Sequence, residues 1–123
     1  MAKKISIKKK AHLTPKKVAD MNTMLKGDKT VVLLHASWCP HCVSFAPEWN
    51  MFERSSGINT INIESDPLSR MRQDFYSTFS RLTPKDDALS YPTIMVFSTN
   101  NGKTSKKVYT GVLTAKDLKK ANT

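Results

Sequence analysis

Val31-Val32-Leu33-Leu34-His35-Ala36-Ser37-Trp38-Cys39-Pro40-His41-Cys42 is the stretch whose reading decides the fold. From Thr30 to Ala36 it is rich in β-formers and almost wholly apolar, the pattern of a strand covered on both faces. A helix is expected to follow, over Cys39–Glu53, so the two cysteines stand where strand turns into helix. Cysteines three apart at a helix N-terminus lie near the Cα separation that a disulfide needs. The first sits beside unsatisfied N–H groups and the positive end of the helix dipole, and both stabilise a thiolate. His41 adds a cation between the sulfurs, and Pro40 stiffens the turn. The expectation is an accessible Cys39 of low pKa and a more sheltered Cys42.

Two other readings of the pair compete on chemistry. Structural zinc needs four ligands, and the chain offers these two cysteines and three scattered histidines. Of those, His41 lies between the sulfurs and is poorly placed to join them, so no metal site is expected. Two inert buried cysteines are the bland alternative, but a strand-to-helix turn is an unusual place for them.

Working outward, Ile5-Ser6-Ile7 alternates as a short edge strand does, with lysines guarding the edge. Thr14-Pro15 reads as a helix start, and Val18, Met21, Met24 and Leu25 recur at helical spacing until Gly27. Pro47 lies inside the helix after the cysteines, where it removes one backbone hydrogen bond and bends the helix. Ile58–Glu64 alternates isoleucine with polar residues and reads as a strand. Asp66-Pro67 starts a third helix with Leu68, Met71, Phe75 and Phe79 as one apolar stripe. Arg81–Ser90 is polar, with a short capped turn expected at Thr83-Pro84-Lys85-Asp86.

Pro92–Ser98 is a second buried strand, and Thr99-Asn100-Asn101-Gly102 is a hairpin turn. The return strand reaches about Thr110, where Gly111 interrupts it. Thr114 with Asp117 caps a last helix carrying Leu118. The order β-α-β-α-β-α-β-β-α demands crossovers first and a hairpin last. It predicts an α/β fold with a central mixed sheet flanked by helices on both faces.

The 123 residues fit one domain, read as a basic N-terminal segment over 1–11 followed by a domain over 12–123. Two cysteines exclude a disulfide-stapled scaffold, and no apolar run is long enough to cross a membrane. No secretory h-region, myristoylation glycine or prenylation box is seen, so a cytoplasmic protein is expected. The net charge of +10 is uneven. Residues 1–29 carry nine lysines against Asp20 and Asp28, a net +7; residues 101–123 carry a net +5; residues 30–100 carry −2. Such ends attract acidic partners or, weakly, polyanions. No aromatics or arginines interleave the lysine tracts, so specific nucleic-acid recognition is not expected.

The chain resembles the thioredoxin superfamily over roughly residues 12–121. The matching pieces are VVLLHASWCPHC, Phe45-Ala46-Pro47, Asn62-Ile63-Glu64 with Pro67, Tyr91-Pro92-Thr93 before IMVF, and Gly111. The resemblance implies a thiol–disulfide oxidoreductase acting on protein thiols or disulfides, with no cofactor and with a monomer as the default. Cys39 would be the attacking thiol and Cys42 the resolving one. Trp38 would shield the sulfurs, and Pro40 and His41 would tune them. Pro47 would bend the active-site helix. Pro92 would be a cis-proline facing the disulfide, the Tyr91 backbone would pair with an extended substrate strand, and Gly111 would leave room on that surface. His35 is read as a satisfied structural residue without a catalytic part.

Two departures stand out. Thioredoxins place a buried carboxylate where this chain has Leu33, and its companion lysine falls at Thr60, which leaves Cys42 without its usual proton acceptor. About a dozen extra residues lie between Pro67 and Pro92, and the insert around Arg81–Ser90 is expected beside the site. Pro40-His41 resembles DsbA-type oxidases, so a relatively oxidising couple is expected. The competing class is a non-catalytic module of the same fold that docks acidic partners or polyanions through its lysine-rich ends.

Overall fold

The run at Thr30–His35 is apolar on both sides because it becomes the middle strand of a sheet with helices above and below. The computed structural model describes residues 2–27, 29–84, 89–110 and 114–121. In chain order its elements are β1 (Lys4–Ile7), a 3-10 turn (Lys10–His12), α1 (Pro15–Lys26), β2 (Thr30–His35), α2 (Pro40–Ser55) and β3 (Asn59–Glu64). Then come α3 (Ser65–Asp74), α4 (Tyr76–Arg81), β4 (Thr93–Asn100), β5 (Lys103–Thr110) and α5 (Ala115–Ala121). The strands form one five-stranded sheet in the order β1-β3-β2-β4-β5. β1, β3 and β2 run parallel, while β4 is antiparallel to β2 and β5 to β4. The fold is α/β and thioredoxin-like.

Alternate residues of each strand serve opposite layers. Val32 and Leu34 join Ile5, Ile7, Ile61 and Ile63 in a core closed by Met21, Leu25, Leu68 and Met71 of α1 and α3. Val31 and Leu33 join Ile94 and Val96 against Phe45, Trp49 and Phe52 of α2 and Leu118 of α5. β3 departs from the simple alternation. Its polar positions Thr60 and Asn62 are buried as well, and both side chains donate to Glu53 Oε2 of α2, at 3.0 and 3.5 Å. Burial of these polar groups is tolerated because they are hydrogen-bonded.

The caps form as the residue types predict. Thr14 Oγ1 accepts from Lys17 N at 3.2 Å, and Gly27 closes α1. Thr114 Oγ1 accepts from Asp117 N at 3.1 Å while Asp117 Oδ2 accepts from Thr114 N at 3.3 Å, a reciprocal capping box. The hairpin joins Asn100 to its partner Lys103 through Asn101 and Gly102, at φ 53° and 78°. Those positive values are why Asn-Gly is favoured there.

The third helix is corrected in two respects. It begins at Ser65 with Glu64 as its N-cap, and it is broken at Phe75, whose φ of −139° and ψ of 57° end α3 and start α4. The apolar stripe runs across this break. The start of the polar segment is anchored away from the cysteines. Arg81 Nη1 donates to Asn22 Oδ1 of α1, and Lys106 Nζ of β5 donates to the carbonyls of Arg81 and Thr83. Leu82 is fully buried. The turn expected through Lys85-Asp86, and Gly111, lie outside the described residues.

Candidate active site

The cysteine loop leaves the C-terminal end of β2 and enters α2, so the site sits at the end of the sheet's middle strand. Cys39 is the N-cap of α2, Pro40 is its first residue, and His41 and Cys42 complete the first turn. The Cys42 N–H donates to Cys39 Sγ at 3.3 Å, so the sulfur takes the capping role that a serine hydroxyl plays elsewhere. On its other side Cys39 Sγ donates to the Tyr91 carbonyl at 3.4 Å. The Tyr91–Pro92 peptide is cis and leads into β4. Trp38 is 70% exposed and meets the Tyr91 ring edge-on, with centroids 5.8 Å apart. Pro47 lies within α2, which continues past it to Ser55.

Cys39 is less accessible than its position at a helix start suggests. It is 5% exposed and Cys42 is 7% exposed, because Ala36 and Tyr91 pack around both. Hydrogen bonding at Cys39 and burial at Cys42 separate the two thiols. The Cys39 pKa is lowered, first by a hydrogen bond from the Cys42 thiol, against burial, and then by the backbone N–H groups of Cys42 and His41. The Cys42 pKa is pushed up to about 11, chiefly by burial and then by its role as donor to Cys39. His41 therefore acts on Cys39 through its backbone, while its side chain is exposed.

Glu64 is a residue whose part the sequence motif did not reveal. Its carboxylate accepts from Ser37 N at 3.0 Å, from Asp66 N at 3.1 Å and from Ser65 Oγ at 3.3 Å. It thus ties the loop before the cysteines to the start of α3. Burial raises its pKa, yet these three hydrogen bonds outweigh burial and hold it below the usual value. An acidic residue just before a helix start is the signal that could have found it.

Free thiols three residues apart, one favouring the thiolate and one the thiol, can exchange disulfides. Among the described residues, no group of three or more His, Cys, Asp or Glu side chains is placed to hold a metal ion. No described helix is long and apolar enough to cross a membrane.

The chain is similar to known proteins. Mouse protein disulfide-isomerase A4 is 36% identical over 72 residues, which are 57% of this chain and 10% of that protein. A protein disulfide-isomerase of Medicago sativa is 31% identical over 83 residues, 67% of this chain and 15% of that one. The chain therefore spans a small part of these relatives' length. Among solved structures, the Trx4 domain of ERdj5 superposes with a TM-score of 0.60 at 20% identity, covering 96% of this chain and 92% of that one. Thioredoxin NaTrxh from Nicotiana alata gives 0.63 at 20% identity, covering 98% and 90%. Likeness at such identities speaks for the fold. The Thioredoxin family model matches residues 12–122, and the chain belongs to the thioredoxin family.

Proposed function

We propose that the protein is a thiol–disulfide oxidoreductase of protein substrates that works through Cys39 and Cys42. The observation that carries this reading is the opposite tuning of the two thiols around one hydrogen-bonded sulfur pair. As a reductant, Cys39 thiolate attacks a substrate disulfide, and one substrate sulfur leaves as a thiolate. Cys42 then loses its proton and attacks Cys39 Sγ, the mixed disulfide breaks, and the second substrate thiolate leaves. The cysteine pair is oxidised and the substrate disulfide reduced by the same two electrons. The reverse sequence oxidises a dithiol.

Trp38 would cover the sulfurs, Pro40 and His41 would hold the first turn, and Pro47 would set the course of α2. The Tyr91 backbone, Pro92 and Gly111 would receive an extended substrate segment. The Tyr91 carbonyl beside Cys39 Sγ supports that role. A Cys39 thiol that ionises easily is a good leaving group and stabilises the reduced pair, which supports a relatively oxidising couple. Equilibration with glutathione is expected to return a potential nearer about −200 mV than about −270 mV.

Insulin reduction with dithiothreitol, run beside a Cys39→Ser control, tests the activity. The wild type should speed precipitation and the variant should return it to the uncatalysed rate. Equal rates would remove Cys39 from the mechanism.

A further inference from the structure

On the α2 side of the sheet, a cavity of about 430 Å³ lies behind Cys42, and Leu33, His35, Trp49, Glu53, Asn62 and Ser6 are among the side chains that line it. One half of this layer is dry, where α2 and α5 cover β2 and β4. The other half, over β1 and β3, is polar. Ser6 Oγ donates to Asn62 Oδ1 at 2.9 Å, and Asn62 Nδ2 and Thr60 Oγ1 donate to Glu53 Oε2. His35 stands at the end of β2, four residues before Cys39, with its side chain hydrogen-bonded to Asn62.

Trp49, 3% exposed, also lines this cavity. The volume suffices for several waters at about 30 Å³ each, and the lining is polar enough to hold them.

Cys42 creates the need for a proton acceptor. Resolution of a mixed disulfide requires its thiolate, and burial, the chief cause of its raised pKa, persists when Cys39 is covalently occupied. Two bases line the cavity. Glu53 is eleven residues along α2 from Cys42, about 16 Å of helix, and it is already bonded by Thr60 and Asn62. His35 is at the cysteine end.

We propose that His35 is the proton acceptor for Cys42, taking its proton through water in this cavity as Cys42 attacks the mixed disulfide. The Cys42 S–H bond breaks, a Cys39–Cys42 S–S bond forms, the substrate thiolate leaves, and the proton rests on the imidazole before passing to solvent. The cavity is partly open to solvent and the exposed Lys4 and Lys8 are among its lining, which gives the proton an exit. The charged and titratable groups around His35 are Glu64 from β3, Lys8 after β1, Cys42 from α2, and Lys4 and Glu53 across the cavity. Tyr91 faces Glu64 and Cys42. Burial, ahead of the opposing bond from Asn62 and the charge of Glu64, lowers the His35 pKa and keeps the imidazole neutral, as a base must be.

This inference rests on the proposed exchange activity, and stopped-flow mixing of the reduced full-length protein with dithio-bis-nitrobenzoate separates the two. A first burst of nitrothiobenzoate reports attack by Cys39, and a second reports its release by Cys42. For the wild type, the second phase should be nearly level between about pH 7 and 9 and fall on acidification as His35 is protonated. His35→Ala should slow that phase about 100-fold at neutral pH and make it rise tenfold per pH unit, with the first phase unchanged. Added imidazole should restore it. A wild-type second phase that itself climbs tenfold per unit overturns the relay without any variant. So does a His35→Ala or His35→Gln protein whose second phase matches wild type, or in which both phases slow together. A first phase no faster than an ordinary thiol would overturn the exchange activity itself, and the relay with it.

Discussion

Cys39 and Cys42 differ by one helical turn and hardly at all in exposure, at 5% and 7%, yet their thiols move in opposite directions. Burial alone would raise both. Cys39 escapes because it is the N-cap: the Cys42 thiol and the backbone N–H groups of His41 and Cys42 all point donors at its sulfur. Cys42 is already inside the helix and its own amide is spent on Cys39, so burial governs it. The lesson is that donors aimed at Cys39 and burial of Cys42 together decide which sulfur carries charge.

Removing one member of the pair breaks the comparison most severely. Cys42→Ala deletes the largest stabiliser of the Cys39 thiolate and the group that resolves the mixed disulfide. Turnover in insulin reduction should fall by a factor of about 100 or more. A mixed disulfide should accumulate on Cys39, visible by intact-mass measurement, and the Cys39 pKa should rise toward that of a free thiol. A Cys39 pKa unchanged by this substitution would show that the backbone amides suffice.

Glu64→Gln sharpens the comparison from the other side. Glu64 disfavours the Cys42 thiolate by its charge, though as the last of several causes, and it is not among the causes at Cys39. The variant should lower the Cys42 pKa slightly and leave Cys39 where it is. Weakening the cap of α3 should cost up to about 1 kcal/mol in urea unfolding. Because the folded pKa of Glu64 lies below its unfolded value of 4.5, its charge contributes fully above that value. That contribution is lost as pH falls through the folded pKa, so wild type and variant should converge in acid.

The fold was legible where local chemistry decides it. The doubly covered strand at Thr30–His35, the Thr14 and Thr114 caps and the Asn101-Gly102 turn all follow from residue types a few positions apart. The cysteine pair was legible for the same reason. What escaped depends on contacts between distant segments. The low exposure of Cys39 comes partly from Tyr91, 52 residues away. The burial of Thr60 and Asn62 rests on their acceptor, Glu53, which lies on another element. The break at Phe75 leaves no mark in the pattern, since Phe75 and Phe79 pack against the core through either geometry. The proposed part of His35 leaves no mark in the sequence because the cavity beside it is made by β1, α2 and β3 together.

Ultraviolet thiolate absorbance of the reduced protein against pH tests the split between the two sulfurs most directly. Two separate steps are predicted, the first below the ordinary thiol value of 9.0 and lost in Cys39→Ser, the second near 11. A single step of two thiols near that ordinary value of 9.0 would contradict it.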